Sequence, residues 1–123
     1  MTRSWEELKR IKSCSVYLFP DMIYVVASAR TVPGFDIHSE PVFKVERNVQ
    51  PSVLGDRVVT ALNAFQFDVP PPSPRSKDVG PLLKRTGLRS WKQLEARALH
   101  ISVTLDGEII QVIPTARDLR HGG

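Results

Sequence analysis

One block of sequence occurs twice, and it limits the folds open to the chain more than any other feature. Ser4-Trp5-Glu6-Glu7-Leu8 is echoed by Ser90-Trp91-Lys92-Gln93-Leu94, and Ser15-Val16-Tyr17-Leu18 by Ser102-Val103-Thr104-Leu105. Met22-Ile23-Tyr24-Val25-Val26 is echoed by Ile109-Ile110-Gln111-Val112-Ile113. Each copy reads as a short helix followed by a β-hairpin. Both helix starts place Ser three residues before Glu or Gln, the capping box that satisfies free amides at a helix N-terminus. In each hairpin the first strand alternates, with Val16 and Leu18, or Ile101, Val103 and Leu105, on the core face. The second strands are apolar on both faces, which predicts central positions covered from both sides. Asp106-Gly107 is a strong two-residue hairpin signal, whereas Pro20-Asp21 predicts a looser bend.

Between the copies, Pro41 to Arg47 reads as a strand at a sheet edge, with Val42 and Lys44 on one face and Phe43 and Val45 on the other. From Ser52, the positions Leu54, Val58, Ala61, Leu62 and Phe65 recur at helical spacing and predict one apolar stripe packed on the sheet. Asp68 to Asp78 holds four prolines in eleven residues and reads as an extended connector. A short helix over Val79 to Thr86 follows, with Asp78 as N-cap, Leu82 and Leu83 inward and Gly87 just past its end. The expected fold is α+β: a largely antiparallel sheet of about five strands with helices against it. The chain of 123 residues is read as one domain spanning 1–123, with a fraying tail over 117–123.

Composition narrows the functional classes. Cys14 is the only cysteine, so no internal disulfide or multi-cysteine zinc site exists, and a reducing compartment fits. Met1 to Lys12 mixes acids and bases with no apolar core, and no later run is long enough to cross a membrane, which predicts a soluble cytoplasmic protein. Net charge is +4. The excess sits between Arg75 and Lys92, where Arg75, Lys77, Lys84, Arg85, Arg89 and Lys92 face Asp78 alone, while Asp36, Glu40, Glu46 and Asp56 make the preceding third acidic. Such a basic stretch steers acidic partners, whether nucleic acid or protein, or is a solvated helix surface.

Reactive constellations are scarce. His38, His100 and His121 show no metal-ligand spacing, and Gly34, Gly55, Gly80 and Gly87 form no phosphate loop, so neither metal nor cofactor is expected. Cys14 aligns with Ile101 in the repeat and reads as core. Asp36, His38 and Glu40 alternate along an extended loop, so all three side chains could face a partner or, less simply, do acid-base work. Trp5 and Trp91, at equivalent helix starts, read as packing anchors in preference to base-stacking platforms.

Leu82-Leu83-Lys84-Arg85-Thr86-Gly87-Leu88-Arg89-Ser90-Trp91-Lys92-Gln93-Leu94 and the opening from Trp5 to Tyr17 resemble the immunity proteins of bacterial contact-dependent growth inhibition systems. The Asp-Gly hairpin and the Ile113-Pro114 ending follow in the same order. The resemblance implies a small cytoplasmic protein, not an enzyme, that binds and blocks the C-terminal toxin domain, often a nuclease, of a large exported protein. The partner-facing residues expected on charge and loop position are Asp36, His38, Glu40, Glu46, Arg75, Lys77 and Arg85, with no catalytic residue. The alternative is a small basic nucleic-acid-binding module using Arg75 to Lys92.

Overall fold

The repeat is most visible where its two copies meet. A computed structural model describes residues 11–73 and 80–114, and in it β1 (Lys12–Leu18) and β5 (Leu99–Asp106) are antiparallel neighbours at the centre of a sheet. Ser15 faces Ser102, and the register runs outward from that pair equally both ways: Cys14 faces Val103 and Val16 faces Ile101. β1 pairs on its other side with β2 (Met22–Thr31), Cys14 opposite Ala27. β5 pairs with β6 (Ile109–Pro114) in the equivalent register, Ile101 opposite Pro114. The two hairpins are therefore related by a local two-fold through the Ser15 and Ser102 pair. The two corners differ as expected: the β1–β2 ladder stops at Leu18 opposite Ile23, and beyond it Phe19 N–H donates to Met22 O at 2.8 Å across the looser Pro20-Asp21 bend. In the second hairpin Asp106 still pairs with Ile109, and Gly107, at φ 63°, takes the left-handed corner that a side chain would strain.

The remaining strands break this symmetry. β3 (Asp36–Glu46) adds antiparallel to the far side of β2. It is an edge, as expected, but starts at Asp36 and so converts the expected loop of Asp36, His38 and Glu40 into paired strand. Its register slips between Val26 and Ala27 on β2, so Glu40 and Pro41, joined by a cis peptide, form a bulge. β4 (Gln66–Val69), not anticipated, lies parallel to the end of β2 through Ala29 and Thr31, beyond the reach of β1. Asp68 inside it has φ 55°, a conformation that aspartate tolerates better than most residues. The sheet order is β3-β2-β1-β5-β6 with β4 beside β2, and every pairing except that of β4 is antiparallel.

Helices cover both faces. α1 (Pro51–Asn63) starts with proline at its first turn, where no amide partner is lost, and lays the expected stripe on the sheet. Ala61 and Leu62 are buried with Cys14, Val16, Ile23, Val25, Ala27, Val45 and Val103, and Leu54 and Val58 pack at the margin. The opposite face holds Tyr17, Phe19, Tyr24 and Val26 under Leu82 and Leu83 of α2 (Pro81–Thr86) and Leu94 of α3 (Trp91–Arg97). Each such aliphatic side chain contributes roughly 1.5–3 kcal/mol when fully buried. α2 begins two residues later than expected and ends on Gly87 at φ 76°, where a left-handed cap leaves Gly87 N–H bonded to Leu83 O. At α3, Ser90 Oγ accepts from Gln93 N–H at 3.2 Å, while Gln93 Oε1 accepts from Arg89 N–H at 2.9 Å, one residue before the position the motif predicts. Ser4 to Leu8, Trp5, the connector beyond Ser73, Asp78 and the tail lie outside the described residues.

Two expectations about strand position are reversed. β1, expected to be half-covered, is buried on both faces from Ser13 to Tyr17. β6, expected to be central, is an edge strand among the described residues, and all six of its residues are exposed.

Candidate functional site

The pairing of β1 with β5 sets Tyr17 directly against His100, and their rings stack with centroids 4.5 Å apart and 5° between planes. Tyr17 then reaches across β2 to β3, where its hydroxyl and His38 Nε2 share a hydrogen bond of 3.1 Å. His38 also meets Trp91 at the start of α3, ring centroids 5.2 Å apart, so Trp91 anchors α3 to the sheet while its outer part remains exposed. His100 Nε2 lies 3.0 Å from Ser15 Oγ. Five residues from four elements thus form one chain of contacts, from Trp91 through His38, Tyr17 and His100 to Ser15. Burial lowers the His38 pKa to about 4, and the neighbouring His100 adds to the effect. The imidazole is neutral at pH 7 and serves as a hydrogen-bond partner of Tyr17.

A serine beside an imidazole is the beginning of a nucleophile arrangement, but this one is built for packing. Ser15 is buried in the middle of the sheet and the Tyr17 ring lies flat on His100. A buried hydroxyl needs a partner, and His100 supplies it. Cys14 is likewise interior: burial pushes its thiol up to about 12, far from a reactive thiolate. Among the described residues no three histidine, cysteine or carboxylate side chains gather as a metal would require.

The residues expected to face a partner are separated. His38 turns inward, because pairing of β3 with β2 puts it opposite Ser28 and beneath Trp91. Asp36, on the same face, is engaged differently: Arg30 Nε donates to Asp36 Oδ1 at 2.8 Å, and Ser13 Oγ donates to Asp36 Oδ2 at 2.8 Å. The three side chains Asp36, His38 and Glu40 therefore do not converge, since the bulge puts Glu40 out of step and in solvent. Glu46 is exposed where β3 ends, opposite Met22. Arg85 is exposed on α2, and its charge partly offsets the rise that burial imposes on the Tyr24 pKa. Arg75 and Lys77 lie outside the described residues. What remains on the surface is an outer strand carrying Asp36, Glu40, Lys44 and Glu46.

The opposite edge is of another kind. Along β6, Ile109 and Val112 are 67% and 63% exposed, and Ile110 and Ile113 about half. This surface was missed from sequence because an apolar strand reads as interior; its place at the end of the hairpin series was the available signal.

No protein-family model and no curated protein matches the chain. Among solved structures it is similar to the Protein of Unknown Function NMB0488 from Neisseria meningitidis, at 14% identity and a TM-score of 0.64, over 94% of this chain and 76% of that one. At that identity the likeness shows the fold alone. Among the described residues no helix is long and apolar enough to cross a membrane.

Proposed function

We propose that the chain is the immunity partner of a contact-dependent growth inhibition toxin. In the cytoplasm it binds the cognate toxin domain, a nuclease, and neutralises it by occlusion in a tight and specific complex, without catalysis of its own. The observation that carries this reading is the β3 edge, an outer strand on which Glu40 and Glu46 are exposed on either side of Lys44, while Asp36 at its start is paired with Arg30. Charges fixed in that way favour fast association with a basic surface and reject partners of the wrong polarity. The edge also reconciles a net charge of +4 with a basic target, because recognition depends on the local field and not on the sum. A complex of ordinary size buries about 1,200–2,000 Å² in total, and β3 with the neighbouring α2 and its Arg85 offers the polar part of such an area.

The test pairs the purified protein with the C-terminal domain of the large exported protein encoded directly upstream. Nuclease activity should fall to zero at one equivalent. Glu40→Lys together with Glu46→Lys should slow association roughly tenfold at low salt, with the difference shrinking near 0.5 M salt as the charges are screened. Undiminished nuclease activity at a large excess of the protein would overturn the proposal. Tight binding of RNA or DNA with a steep salt slope would transfer the assignment to a nucleic-acid module.

A further inference from the structure

The two edges of the sheet differ in how they are protected. β3 carries charges, a proline and a bulge, the devices by which natural edge strands avoid pairing with other chains. β6 has no charged residue from Ile109 to Pro114, carries its proline only at the last position and shows no register irregularity against β5. An apolar, exposed edge with an unbroken register is a surface to be covered.

Its sequence says by what. Ile109-Ile110-Gln111-Val112-Ile113 reads nearly the same in both directions. We infer that β6 pairs antiparallel with β6 of a second copy, about a two-fold axis through Gln111, joining two sheets into one. In this register Ile109 meets the other copy's Ile113 on one face, Ile110 meets the other copy's Val112 on the other, and the two Gln111 amides meet on the axis. Shifting by one or two residues opposes Gln111 to an isoleucine or valine, so only this antiparallel register matches apolar to apolar throughout. Charge agrees with it. The acidic turns of the two copies, each with Asp106 and Glu108, lie at opposite ends of the paired strands, the two Glu108 residues about 20 Å apart at 3.4 Å per residue, so like charges are not opposed.

The backbone is compatible too. Asp106 and Ile109 close a two-residue hairpin and exchange hydrogen bonds, so alternation directs Ile109, Gln111 and Ile113 toward β5 and the amides of Ile110 and Val112 outward. Those outward groups are the ones this register joins, Ile110 to the other copy's Val112 and the reverse. The interface is isologous and closes on itself, as a stable two-fold dimer requires. It covers eight apolar side chains, small beside a standard interface of about 1,600 Å², and so is expected to dissociate in the micromolar range. β3 lies at the opposite edge and stays free, so the dimer goes beyond the toxin-binding reading and does not depend on it.

Sedimentation velocity of the full chain from about 1 to 200 μM tests the inference. A reversible monomer-dimer equilibrium is expected. Val112→Pro removes an outward amide that β5 does not use, and should weaken dimerisation at least tenfold with the thermal transition nearly unchanged. Ile110→Lys and Val112→Glu should each give monomers, and the two together in one chain should restore the dimer by placing opposite charges across the pair. A wild-type monomer over the whole range, or a dimer indifferent to these changes, overturns the inference. So does a monomer whose complex with the toxin domain is weakened by Ile110→Lys, because the edge then belongs to the toxin.

Discussion

Val25 and Val112 occupy equivalent places in the two hairpins, yet Val25 has no exposed surface and Val112 is 63% exposed. The local sequences are alike, and so are the registers of the strands they sit on. What separates them is the rest of the chain: β2 gains β3 and β4 as neighbours, α1 on one face and α2 with α3 on the other. β6 gains β5 alone. Apolar patterning thus reports that a strand is to be covered, and leaves open whether the cover comes from the same chain or another.

The largest effect is expected at Val25. Val25→Asp buries a charge without a partner and should cost more than about 4 kcal/mol, enough to unfold the domain as followed by circular dichroism. Retained folding would mean that β2 is less enclosed than its burial indicates.

The next largest effect is one of pH, and it concerns how β3 is fastened. With its pKa near 4 in the folded protein against 6.5 in the unfolded chain, His38 remains neutral in the native state while the unfolded state takes up a proton. The associated stability is therefore complete above pH 6.5 and is lost as pH falls from 6.5 to 4, up to about 3 kcal/mol. Urea unfolding at pH 7 and pH 4.5 should show this loss, and His38→Gln should flatten it. An equal pH dependence in the variant would remove His38 as its cause.

Ser90→Ala should cost about 1 kcal/mol by removing the acceptor for Gln93 N–H. A similar cost for Ser4→Ala would extend the equivalence of the two halves to their helix starts. Smallest is Val112→Asp, the counterpart of the first change: in dilute solution it should alter stability by no more than about 0.5 kcal/mol.

Much of this architecture was legible in the sequence for local reasons. The stripe from Leu54 to Phe65 buries as its spacing predicts, Gly87 ends α2 as its freedom of φ predicts, and the repeat yields two hairpins in matching register. What escaped is non-local. Asp36, His38 and Glu40 carry the signs of a loop, and only pairing with β2 makes them strand and draws His38 under Trp91. The Tyr17, His38, His100 and Ser15 contacts depend on sheet order, which no spacing within one segment encodes. β4 is too short to announce itself, and it forms because β2 extends past β1 and offers an open edge.

The most direct measurement is amide hydrogen exchange at Ile110 and Val112, with Val25 as internal reference, in dilute and concentrated solution. If β6 is covered by a second copy, the two β6 amides exchange fast when dilute and become protected as concentration rises, while Val25 stays protected throughout. Exchange at Ile110 and Val112 that is equally fast at every concentration would contradict the account.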